Sequence, residues 1–112
     1  MGLFSSLFGS KKYNNIDHNE LETIIQNNKK ALILDVRTPA EFNGCHIPKA
    51  KNIPVGELRS QFSNLELYKE EDIIVYCASG MRSSNAANIL SDHGFTKVYN
   101  LGGIGNYRGK LS

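Results

Sequence analysis

The sequence predicts an α/β domain: a compact fold with a central, mostly parallel sheet and helices on both faces. Three observations lead there. The 112-residue chain has the length of one domain with a modest core. Two runs, ALILDV (31–36) and DIIVYC (72–77), are almost continuously apolar over strand length, as in strands covered on both faces. Segments with helical spacing of apolar residues alternate with such runs, which is the pattern of βαβ units.

Each element has its own signal. KYNNI (12–16) has the look of a short edge strand. In DHNELETIIQNN (17–28), Asp17 stands as N-cap with Glu20 three residues on, a capping box. Leu21, Ile24 and Ile25 form its apolar face, and the Asn27–Asn28 pair supplies a stop. After the first buried strand, Thr38 can cap a helix whose first position is Pro39. AKNIPV (50–55) predicts a brief strand, and GELRSQFSNL (56–65) a helix with Leu58, Phe62 and Leu65 on one face. Beyond the second buried strand, SSNAANILSDHG (83–94) predicts a helix with Ala86, Ala87 and Leu90 inward and Gly94 as its stop. KVYNL (97–101) is a last strand before the Gly-rich close GGIGNYRG.

Composition excludes several classes of function. A net charge of +2 is small and scattered, so Lys11–Lys12 and Lys29–Lys30 read as solvated surface and no nucleic-acid partner is implied. No run has the length of a membrane span. The apolar start, residues 1–12, lacks the basic region of a secretory signal and reads as a flexible tail ahead of a domain over 13–112. Met1-Gly2 with Ser6 fits the loose N-myristoylation pattern, which would allow peripheral membrane contact through the tail. With no export signal, the two cysteines are expected as free thiols in a reducing, cytoplasmic setting.

In open parallel sheets, ligands bind at the carboxyl ends of the strands. Two strands end there in reactive residues, one in Asp35 and Arg37 and the other in Cys77. Behind Cys77 run Ala78, Ser79, Gly80, Met81 and Arg82, and then a helix start near Arg82 or Ser83. Gly80 permits a turn closed to other residues, and the amides of such a turn form an anion-binding nest at a helix N-terminus. A thiol of ordinary pKa, about 8.5, is lowered markedly in such surroundings and by a neighbouring cation such as Arg82. Each unit of lowering corresponds to about 1.4 kcal/mol. Cys77 is therefore read as a thiolate nucleophile rather than a small buried hydrophobe ending a strand. Four residues separate Cys77 from Arg82, one fewer than in tyrosine-phosphatase-like loops, and Tyr76 stands where those enzymes usually carry His. The smaller cradle suits one added sulfur better than a phosphate.

Four segments in order, LDVRTPAEF (34–42), HIPKAKNIP (46–54), VYCASGMRS (75–83) and GFTKVYNLGG (94–103), give the chain a resemblance to single-domain rhodaneses over roughly residues 13–109. The resemblance implies a thiosulfate sulfurtransferase-like enzyme. Cys77 would take the outer sulfur of thiosulfate or a persulfide and pass it to cyanide, a small thiol or a protein thiol. Residues 77–82 would bind the persulfide through their amides, with Arg82 and Arg37 helping to hold an anionic donor. Asp35, Glu41 and His46 are expected as structural support, the first two through ion pairs and His46 through packing at a bend. No Cys/His spacing resembles a zinc site, and neither a metal nor an organic cofactor is called for. The oligomeric state is expected to be a monomer or a weak dimer.

The chain departs from the family pattern at Cys45 and Lys49, where Gly is usual, and at Tyr107, where Trp is frequent. Cys45 is either inert or a second thiol able to resolve a Cys77 persulfide. Two other functions compete with turnover: a persulfide carrier or binding module for a protein partner, and a redox or phosphatase role.

Overall fold

The computed structural model describes residues 12–112; the reading of the N-terminal tail falls on residues outside these, Lys12 excepted. Five strands, β1 (Asn14–Asn15), β2 (Leu32–Asp35), β3 (Lys51–Asn52), β4 (Asp72–Cys77) and β5 (Lys97–Gly103), form one sheet in the order β1-β5-β4-β2-β3. Every pairing is parallel. The α-helices are α1 (His18–Asn27), α2 (Pro39–Gly44) and α3 (Met81–Asp92).

β2 and β4 are buried on both faces, as their unbroken apolar runs require. Alternate residues feed two cores. Val75 and Cys77 join Leu34, Leu58, Leu65 and the α3 residues Ala86, Ala87 and Leu90. Ile74 and Tyr76 join Leu21, Ile33, Ile47 and Leu101 on the opposite face. The predicted capping box forms at α1, Asp17 with Glu20, and at α2 the Thr38 cap adds a second box with Glu41, with Pro39 in the first position.

One predicted helix differs in kind. Val55–Glu57 and Arg59–Tyr68 are 3₁₀ turns rather than an α-helix over 56–65. Amides of Glu57, Leu58, Gln61 and Lys69 each bond three residues back. The segment is rich in Ser, Asn and Gln, whose side chains compete locally: Ser60 Oγ donates to the Glu57 carbonyl and Asn64 Nδ2 to Gln61 Oε1. Leu58 and Leu65 are nevertheless buried as the spacing predicted.

The edge strands are shorter than predicted. At β3, Pro54 removes a donor, and Asn52 spends its side-chain amide on the carbonyls of Asp35 and Arg37. Lys49, in the place where glycine is usual, has φ 71, the left-handed conformation that glycine adopts freely.

Candidate active site

The chain turns sharply at the carboxyl end of β4. The last strand residue is Cys77 and α3 starts at Met81, one or two residues earlier than the pattern predicted. Gly80 makes this possible by serving as N-cap at φ +107. Across the turn, β5 comes so close at Gly103 that a Cβ there would lie 2.7 Å from the Ala78 carbonyl oxygen. Only glycine leaves room for the loop.

The turn wraps the Cys77 sulfur. Gly80 N donates to Sγ at 2.9 Å and Ser83 N at 3.3 Å. Ser83 Oγ lies 3.5 Å from the sulfur and donates to the Gly80 carbonyl at 3.1 Å. Cys77 is fully covered, and Ala78, Ser79 and Met81 are exposed around it. Burial alone would push the thiol pKa up. Hydrogen bonds from the Ser83 hydroxyl, and from the amides of Ser83, Gly80 and Ser79, outweigh it and hold the pKa below the ordinary thiol value.

Four of the remaining sequence-selected residues form two ion pairs. Arg37 lies in a buried bidentate pair with Asp35, 2.7 Å at its shortest, and donates to the Cys45 carbonyl at 2.7 Å. Its guanidinium lies 5.6 Å from the centre of the Tyr76 ring, which belongs to the core opposite that of Cys77. Glu41 pairs with Arg82 instead, through bonds of 2.8 and 3.0 Å. Hydrogen bonds from Arg82 and the Thr38 backbone hold the Glu41 carboxyl down at about 2. His46 donates from Nδ1 to the Phe42 carbonyl at 2.9 Å, stacks on Phe42 at 3.9 Å, and exchanges backbone hydrogen bonds with Ser112.

Three contributors escaped the sequence-based selection. Ser83 offers both an amide and a hydroxyl to the sulfur, and the signal was its place in the first turn of α3. Gly103 makes room for the loop, and a Gly-Gly pair ending a strand hints at such an approach. Tyr76 fixes the bend at His46–Ile47 by accepting from Ile47 N at 3.0 Å. Burial, then a hydrogen bond to Asp35, pushes its phenol up. Cys45 and Cys77 are both free thiols. Among the described residues, no three His, Cys, Asp or Glu side chains converge as a metal site.

A parallel α/β sheet that presents a cysteine sulfur to a nest of loop amides defines a class of α/β proteins with an amide-lined cysteine loop at the carboxyl edge of the sheet. Within that class the chain belongs to the rhodanese family: the model of the rhodanese-like domain matches residues 17–110. YqhL of Bacillus subtilis is 39% identical over 84 residues, 74% of this chain and 65% of that protein. A sulfurtransferase of Allochromatium vinosum is 37% identical over 92 residues, 81% of this chain and 84% of the relative. The thiosulfate sulfurtransferase PspE of Escherichia coli is 37% identical over 71 residues, 63% and 68% of the two chains. The structure of a rhodanese with anions from E. coli superposes with a TM-score of 0.69 at 32% identity, over 73% of this chain and 96% of that one.

Proposed function

We propose that the protein is a sulfurtransferase that carries sulfane sulfur on Cys77, from thiosulfate or a persulfide donor to cyanide or a thiol. The observation behind this is the Cys77 sulfur held by the amides of Gly80 and Ser83 at 2.9 and 3.3 Å. Those donors favour the thiolate over the thiol, and an anionic persulfide after it.

In the first half-reaction the Cys77 thiolate attacks the outer sulfur of the donor. A new S–S bond forms to Cys77, the donor's own S–S bond breaks, and its electron pair leaves on sulfite or on a thiolate. In the second, the acceptor attacks that outer sulfur and the electron pair returns to Cys77. No net redox change is needed, and ping-pong kinetics follow. Arg82 stands at the end of the loop, where a donor anion would enter. Sulfur transfer of this kind needs only the Cys77 thiol reduced at the start, which suits a cytoplasmic setting.

The test is thiocyanate production from thiosulfate and cyanide, wild type beside Cys77→Ser. Loss of turnover in the variant is expected, and equal turnover would remove Cys77 as the carrier. A persulfide carrier for a protein partner is the second reading. It is favoured by the full covering of Cys77 and by Met81, 83% exposed in the surrounding loop. Fast release of the bound sulfur to cyanide without a partner would count against it.

A further inference from the structure

Both arginines of the site are already committed to carboxylates. Arg37 is held by Asp35 at 2.7 Å, and Arg82 by Glu41 through two N–H···O bonds. At the sulfur loop itself, with Cys77 as thiolate, the one cation Arg82 stands against two anions, Glu41 and the sulfur. A dianion approaching the sulfur therefore meets a surplus of negative charge, although Arg82 stands in the loop itself.

Glu41 is fixed in that position by more than Arg82. Thr38 N donates to Oε1 at 2.9 Å, and Thr38 Oγ1 lies 3.1 Å from the same oxygen. The start of α2 thus pins a carboxylate against the cation of the sulfur loop, bringing β2's following segment and β4's following segment together.

We propose that Glu41 determines donor preference: by occupying Arg82 it disfavours dianionic thiosulfate and favours an organic persulfide of low charge. This rests on the reading of Cys77 as a sulfur-transfer residue and adds to it the class of donor. The two reactions differ in the charge they place at the site. With thiosulfate, the thiolate attacks the outer sulfur, the S–S bond breaks, and sulfite departs with the electron pair and two negative charges. With R–S–SH the same bond forms, the donor's S–S bond breaks, and R–S⁻ departs with the pair and one charge. The proton stays on the transferred sulfur or passes to water. The Glu41–Arg82 side chains are 34% and 36% exposed, so solvent screens the effect to a modest size.

The test compares kcat/KM for thiosulfate and for the persulfide of N-acetylcysteamine, whose body is uncharged, in wild type and Glu41→Gln. Glutamine keeps an acceptor for Thr38 N and removes only the charge. Taking the ratio of the two donors cancels any change in thiolate fraction or loop stability, since both meet the same nucleophile. The ratio of thiosulfate to persulfide is expected to rise about fivefold, the order of one partly exposed charge interaction. Glu41→Met, which also drops the cap bond, is expected to move the ratio equally, and the gain is expected to vanish in Glu41→Gln/Arg82→Met. An unmoved ratio in both single variants, or a gain that survives loss of Arg82, overturns the proposal. Wild type that takes sulfur from neither donor overturns the sulfur-transfer reading as well; transfer from both with an unmoved ratio overturns the donor preference alone.

Discussion

Replacing Ser83 by alanine isolates one contributor to the thiolate. In the protonated state the Cys77 S–H faces Ser83 Oγ at 3.5 Å, while that hydroxyl donates to the Gly80 carbonyl at 3.1 Å. On ionisation the hydroxyl turns to the sulfur. It gains a charge-assisted hydrogen bond, about 2 kcal/mol, and gives up a neutral one, about 1 kcal/mol. The difference, about 1 kcal/mol in favour of the thiolate, corresponds to about a fivefold change in the ratio of thiolate to thiol. Ser83→Ala is thus expected to raise the Cys77 pKa, leaving about fivefold less thiolate at a given pH below it, and Ser83→Thr to leave it near wild type. Folding should suffer little, because the Gly80 carbonyl keeps the Ser84 amide as a donor at 3.1 Å. The assay is the pH dependence of alkylation by iodoacetamide in a Cys45→Ser background, which leaves one thiol. A midpoint that stays put, or falls, would refute the hydroxyl's part in stabilising the anion. A further consequence follows by linkage. The folded pKa lies below the unfolded one, so the thiolate stabilises the fold above the unfolded value of about 8.5. That stability is lost as pH falls through the folded value, and Ser83→Ala narrows the window.

Acid should act through Glu41, whose carboxyl is held at about 2 and so contributes stability that is present above its unfolded value, near 4.3, and lost as pH falls toward 2. Thermal unfolding between pH 5 and 2 is expected to show a smaller loss in Glu41→Gln than in wild type. Gly103→Ala places a Cβ 2.7 Å from the Ala78 carbonyl oxygen, so the sulfur loop must move. Sulfur uptake by Cys77 is expected to slow by about 100-fold in a protein that still folds, as read by rapid-quench mass spectrometry. Lys49→Gly relieves a left-handed residue at φ 71 and is expected to stabilise the fold by about 1 kcal/mol in urea unfolding, net of the greater freedom of the unfolded glycine.

The fold was legible wherever one physical signal acted alone. The apolar runs at 32–35 and 72–77 admit only doubly covered strands, and the Asp17 and Thr38 caps place their helices directly. Legibility failed where side chains compete with the backbone, as at Ser60 and Asn64, whose hydrogen bonds accompany 3₁₀ turns under an α-like spacing. At the site, the nest around Cys77 could be read from a strand end, a glycine and a helix start. The partner choices could not. Asp35, Arg37, Glu41 and Arg82 can pair in two ways on charge alone, and only the placement of α2 beside the sulfur loop gives Glu41 to Arg82. The Gly103 contact joins residues from β5 and the 77–80 loop, a proximity that local sequence does not encode.

The central claim is that Cys77 carries the transferred sulfur, and mass spectrometry of the protein after brief exposure to thiosulfate, or to the persulfide of N-acetylcysteamine, tests it most directly. One added sulfur atom on the peptide containing Cys77 is expected, removed by cyanide and absent from Cys77→Ser. Sulfur found on Cys45 instead, or retained in full by Cys77→Ser, would contradict the account.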